Sequence, residues 1–197
     1  MDFDFKRTAT FTALILLIAA ITQAVYTGMY VAEMTPPRQF LWGSEGFLFV
    51  MLGAFAGAGL AQAKSLHLGW SAILGAAILN VVQVGVGLTM FGPFREVAEA
   101  VPEAAPAAGA IVAFSFMVYN AAKVLLALAA IVFGMAKLGA GSKALGGLTA
   151  AVGAIAFVSN TLSMALGRGF TDIPVAGGSG VLATVLLALC LFGQNQD

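Results

Sequence analysis

Apolar residues in this chain run in six long blocks, at about 11–33, 45–63, 69–91, 108–136, 144–166 and 174–193. A helix rises about 1.5 Å per residue, so crossing a hydrocarbon core of about 30 Å takes roughly 20 residues. Each block is long enough, and six of them consume most of the 197 residues. Only 9% of the residues are charged, against about 25% in a soluble domain. The expected fold is all-α: a polytopic membrane protein in which residues 1–197 form one transmembrane domain, a bundle of six transmembrane helices with short loops. Short polar segments separate the blocks, at Thr35-Pro36-Pro37-Arg38, Lys64 to Leu68, the acidic Pro93 to Pro106 stretch, Gly139 to Lys143 and Gly167 to Pro174. Connections this short make successive helices antiparallel.

Lys6 and Arg7 before the apolar run Ala13 to Ile21, with Thr22-Gln23-Ala24 after it, loosely resemble a signal peptide. The apolar segment continues through Val25, Met29 and Val31, so it reads as the first membrane helix. Lys6, Arg7, Lys64, Lys137 and Lys143 fall on one side of the six crossings, and Arg38, Arg95 and Arg168 on the other. The positive-inside rule then puts both termini in the cytoplasm. Small size and brief loops suit a bacterial cytoplasmic membrane. Glu33, Glu45, Glu96, Glu99, Glu103 and Asp172 make the opposite face acidic, which concentrates cations at any opening there.

The residue inventory excludes several chemistries. One cysteine, Cys190, forms no internal disulfide, and one histidine, His67, supplies neither a haem pair nor a zinc cluster. Scattered Lys and Arg with zero net charge leave no nucleic-acid footprint. Gly177-Gly178-Ser179-Gly180 has neither a nearby His base nor a Gly-Lys-Ser/Thr ending, so it reads as packing or a helix start. Gly53 and Gly57 with Ala54 and Ala58, and Gly75, Gly85 and Gly153, thin the helix faces, as close helix contact in lipid requires. An offset of 78 residues pairs Leu48 with Leu126, Phe55 with Phe133 and Gly75 with Gly153, but Ala-, Gly- and Leu-rich sequence produces such matches by chance. Tyr30, Phe40, Trp42, Phe47 and Phe94 suit an interfacial aromatic belt. His67 reads as a solvated turn residue and Cys190 as a small apolar side chain.

Polar residues inside the apolar blocks carry the functional signal. Lys123 sits near the middle of the fourth block, where a charge costs about 2.5–3.5 kcal/mol and normally faces protein or water. Tyr119, Ser115 and Asn120 share its side of the helix. Gln23, Tyr26, Tyr30 and Glu33 form a stripe on the first helix, Asn80 and Gln83 on the third, Asn160 and Ser163 on the fifth. All fall at the midplane or in the outer half, while the inner half is apolar. The expectation is an outward-facing polar pocket from helices 1, 3, 4 and 5, with helices 2 and 6 peripheral. Its ligand-binding residues are Lys123, Tyr119, Asn120, Asn80, Gln83, Asn160, Ser163, Gln23 and Tyr26. The alternative is that these amides and hydroxyls only bond helix to helix, at about 0.6–2 kcal/mol each.

Two function classes follow. One is a small-solute transporter or ligand-binding membrane protein whose ligand is a small polar or anionic molecule. The other is a non-catalytic integral subunit, or a lipid- or quinone-binding protein, that meets a protein partner or its own copies through Gly/Ala-rich helix faces. An enzyme ranks third, since Lys123 with Tyr119 is the one conceivable acid/base pair. A further reading pairs Lys123 with Glu33 or Glu45 by outward snorkelling, while a retinal-type Schiff base at Lys123 lacks an acidic counter-ion at that depth on this reading. The sequence names no cofactor, and the bilayer is the one partner it specifies.

Overall fold

The computed structural model describes residues 3–167, 175–192 and 194. Among them are seven α-helices: α1 (Phe5–Val31), α2 (Arg38–Gln62), α3 (His67–Thr89), α4 (Phe91–Ala100), α5 (Ala105–Gly139), α6 (Lys143–Leu166) and α7 (Val175–Leu191). No strand occurs among the described residues, and the fold is an all-α helical bundle. Five stretches are long and apolar enough to cross a bilayer: Phe5–Met29, Arg38–Gln62, His67–Ala100, Pro102–Gly139 and Lys143–Leu166. The sixth expected crossing is described over Val175–Leu191, a shorter apolar helix.

The acidic stretch from Pro93 to Pro106, expected as a loop, is largely helical. Pro93 has no N–H to give the carbonyl four residues back, and the helix is interrupted at Met90 before α4 continues. Glu99 accepts from Arg95 Nε at 2.8 Å, one turn apart on α4. Helix α4 buries no residue.

Helix contacts define the architecture. Going round, α1 packs against α2, α2 against α3, α3 against α5, α5 against α7, and α7 returns to α1. These five form a closed ring, and among the described residues α1 has no backbone approach to α3 or α5. Helix α6 packs only on α5 and α7, outside the ring. The expectation that the second and last apolar helices would be peripheral is therefore corrected: α2 and α7 are ring members, and the fifth block, α6, stands outside. Its place follows from Gly134 and Gly146, where an added Cβ would strike the backbone of the facing helix. Glycine there lets α5 and α6 lie backbone to backbone.

The pattern of burial is inside-out. Phe11, Leu14, Ile18, Ile21 and Val25 form an exposed stripe on α1, and Phe40 and Phe47 are 74% and 66% exposed on α2. Such a surface is stable against lipid tails and costly in water. At the end of the ring containing the 63–66 turn, Trp70 is buried against Phe133 and Phe5, at centroid distances of 5.7 Å to each. Its ring lies on Gly59, a position with no room for a Cβ. Above it Phe49, Leu52, Leu16, Ile73 and Leu126 are buried, making several apolar layers.

Candidate functional site

Helix register brings one polar layer together across the ring. On α1 and α2, Tyr26 meets Trp42 and Thr8 meets Gln62, which levels Gln23 with Glu45 and Gly46. On α3 and α5, Gly75 meets Leu125 and Gln83 meets Ser115, which levels Asn80 with Tyr119 and Asn120. Gly180 of α7 lies against the Lys123 side chain. Each ring helix thus contributes to the layer, nearer the end bearing the 32–37 turn.

Lys123 is the centre of this layer. It is 1% exposed, and its Nζ donates to Gln23 Oε1 at 2.6 Å. Since the backbones of α1 and α5 do not approach each other, this bond links two non-adjacent helices of the ring through their side chains. The ammonium also stands 5.3 Å from the centre of the Tyr119 ring. A charge-assisted hydrogen bond contributes about 1.5–3 kcal/mol and a desolvated cation–π contact about 2 kcal/mol, together comparable with the insertion cost. The stem of Lys123 passes Gly180 so closely that a Cβ there would lie 3.2 Å from Cδ. Glycine at 180 gives the side chain its path.

Glu45, which the sequence placed at the outer face as one of two acidic partners within reach of a snorkelling Lys123, lies deeper than that. It is 4% exposed, and its charge neighbour is the Lys123 ammonium. The two do not close into an ion pair: the ion pairs among the described residues are Arg7–Asp4 and Arg95–Glu99. Thr22 of α1 is near it, but the Thr22 hydroxyl donates its one proton to the Ala19 carbonyl at 2.9 Å. Glu45 Oε1 has no hydrogen-bond partner. Expectation put Glu45 at the pocket mouth because the second helix was started at 45. The helix starts seven residues earlier, after Pro36 and Pro37, which carries Glu45 two turns inward. The statement that no acidic residue lies at the depth of Lys123 is corrected accordingly. The i, i+3 spacing of Trp42 and Glu45 was the available signal.

Trp42 roofs the layer. The sequence favoured an interfacial belt for it over a place closing the pocket mouth, but it is 9% exposed and buried against Gly87, where its ring occupies the space of a side chain. Tyr26 and Phe91 flank it at 5.4 and 5.8 Å. The exposed Arg38 guanidinium caps both Trp42 and Phe91, at 5.3 and 5.6 Å from their centroids.

The other expected site residues divide. Asn80 is fully buried; its Nδ2 donates to the Ala76 carbonyl at 2.9 Å, and its Oδ1 has no partner. Gln83 Nε2 reaches Ser115 Oγ at 3.5 Å, a weak link between α3 and α5. Asn120 is buried on α5. Asn160 and Ser163 belong to α6, outside the ring. Asn160 Nδ2 donates to the carbonyls of Ala156 and Ala176, at 2.8 and 3.1 Å, joining α6 to the start of α7. Asn160 touches the layer only through the shared surface of Gly180, and its Oδ1, like Ser163 Oγ, is buried without a partner. Glu33, Glu96, Glu99 and Glu103 are exposed. Arg168, Asp172 and the Tyr30 side chain lie outside the described residues. His67 is the exposed first residue of α3, and Cys190 is buried with its sulfur 3.3 Å from Thr149 Oγ1.

Compared with protein families, curated proteins and solved structures, the chain matches none. The chemistry of the layer is therefore read from its own residues. It holds one buried amine and one buried carboxyl on two helices of the ring, and the carboxyl has an oxygen without a hydrogen-bond partner.

Proposed function

We propose that this chain is a membrane protein that binds a small polar solute in the layer around Lys123 and moves it across the bilayer. One observation carries the reading: Glu45 Oε1 is buried without a partner in the same layer as the buried Lys123, with which it forms no ion pair. Buried charges normally pair or find full hydrogen bonding, because desolvating them costs several kcal/mol each. A pair kept apart in the interior is arranged for something between them.

The apolar layers from Phe49 to Trp70 are unsuited to a standing pore, which needs a wettable path throughout. Alternating access fits them. In this reading the roof of Trp42, Tyr26 and Phe91 is the thinner barrier and gives access from the 32–37 end, while the many-layered opposite end is the closed one. Under the positive-inside rule, Lys6, Arg7, Lys64, Lys137 and Lys143 mark the shut end and both termini as cytoplasmic. A role as a lipid- or quinone-binding subunit accounts for the apolar outer surface but gives the unspent charges nothing to do.

Native mass spectrometry of protein purified in mild detergent tests this, with wild type and Lys123→Ala compared at matched folding. The expected result is a small molecule that accompanies wild type and is missing from the variant. Equal lipids on both, or the same protein partner with both, would overturn the reading in favour of a membrane subunit.

A further inference from the structure

We infer that the solute is a zwitterion: a small molecule with a carboxylate for the Lys123 ammonium and an amine or methylated ammonium for the Glu45 carboxylate. The inference rests on the solute-binding reading above and names the class of solute.

Three observations lead to it. First, the two charged groups belong to helices whose backbones do not approach each other, α2 and α5, and the helix register levels them in one layer without an ion pair between them. A direct ion pair is the ordinary way to reduce the cost of two buried opposite charges. Here both poles stay available. Second, each pole has open valences. An ammonium offers three donors, and one of them goes to Gln23; the carboxylate has an oxygen with no donor at all. Third, π faces stand near both poles. Tyr119 lies beside Lys123, and Trp42, flanked by Tyr26, lies one turn from Glu45. Aromatic faces attract ammonium and methylated ammonium groups, which suits the end of the solute that meets Glu45.

Other solute classes leave a charge unanswered. A simple anion at Lys123 adds negative charge near Glu45, and a simple cation at Glu45 adds positive charge near Lys123. A divalent metal ion is a poor match too. Among the described residues no three His, Cys, Asp or Glu side chains come together, so Glu45 would face the ion as a lone acidic ligand beside an ammonium. A zwitterion answers both poles and enters with no net charge, which lowers the cost of leaving water.

Equilibrium binding of radiolabelled probes to the purified full chain in detergent tests the class. The probes are butyrate, butylamine and a series of ω-amino acids from glycine to 6-aminohexanoate, whose lengths gauge the separation of the two poles. One or two members of the series are expected to bind at least about tenfold more tightly than either singly charged probe, the value of one charged hydrogen bond. Glu45→Gln should erase the preference over butyrate, and Lys123→Met the preference over butylamine. Should Lys123→Met fail to fold, the near-isosteric Glu45→Gln decides the matter alone. Butyrate or butylamine bound by wild type as tightly as every amino acid, with that binding lost in the variant of its partner residue, overturns the zwitterion and leaves the solute site standing. Wild type that retains none of the probes overturns both.

Discussion

Lys123 of α5 and Gln23 of α1 are joined at 2.6 Å across a ring in which the backbones of their two helices do not approach each other. One side chain from each helix thus reaches the other, and among the described residues the amide oxygen is the single hydrogen-bond acceptor that holds the buried Lys123 amine in place. Removing it tests that dependence. Gln23→Leu leaves the charge without its acceptor and is expected to destabilise the fold by about 1.5–3 kcal/mol. Gln23→Glu keeps an acceptor and adds opposite charge, so its loss should be smaller. Thermal unfolding in detergent, followed for both variants beside wild type, reads the order; Gln23→Leu matching wild type would remove the bond from the account.

Gly87 decides where Trp42 sits, because the indole occupies the volume a Cβ would take. Gly87→Ala must push the ring out of the roof, at an overpacking cost of about 1–3 kcal/mol. The chain has two tryptophans, so in a Trp70→Phe background the emission comes from Trp42 alone. Gly87→Ala should make that emission more accessible to an aqueous quencher. Unchanged quenching would mean that the roof does not depend on the glycine.

Asn160 separates structural from binding roles within the expected site. Its amide ties α6 to the Ala176 carbonyl of α7 at 3.1 Å, and α6 lies outside the ring. Asn160→Ala should lower the unfolding midpoint, by about 0.5–1.5 kcal/mol for one neutral hydrogen bond, and leave solute retention unchanged. Glu45→Gln should do the reverse, since it removes charge and preserves shape. Measuring midpoint and retention for both variants gives a crossed result if the ring encloses the site, and parallel losses if it does not.

How much of this was legible in the sequence varies with the physics involved. Block length and apolarity fix which segments are helices, and the depth of Lys123 marked it as the residue to explain. Glu45 and Trp42 were placed too far outward for one local reason: the apolar run begins well after the helix does, because the first two turns of α2, from Arg38 to Ser44, mix polar and aromatic residues. Ring membership was illegible for a different reason. Packing in lipid follows small residues rather than apolar stripes, and Gly134 with Gly146 sets α6 aside through a backbone contact that no hydrophobic pattern encodes. The stripe of Asn160 and Ser163 looked the same as that of Asn80 and Gln83, although one pair faces the α7 seam and the other belongs to a ring helix.

Access to the layer from one end is open to a direct chemical test, for which the chain provides its own control. Cys190, the sole cysteine, is fully buried near the 63–66 end, its sulfur 3.3 Å from the Thr149 hydroxyl. Wild type in sealed vesicles should therefore be inert to a charged, membrane-impermeant thiol reagent from either side. Thr22→Cys puts a thiol next to Glu45, at a partly buried position of the polar layer. Thr12→Cys puts one on the same helix among the apolar layers, where Thr12 is 0% exposed. The residue at 22 should be labelled from the side of the 32–37 turn alone, and more slowly when a retained solute fills the layer. The residue at 12 should resist labelling from both sides, because a charged reagent entering an apolar, close-packed interior meets a desolvation cost of several kcal/mol. Labelling at 12 at a rate near that at 22 would mean that water runs the length of the ring, and the closed end would have to be abandoned. Inertness at both positions would leave the roof sealed in the resting state, with Gly87→Ala the variant expected to unseal it.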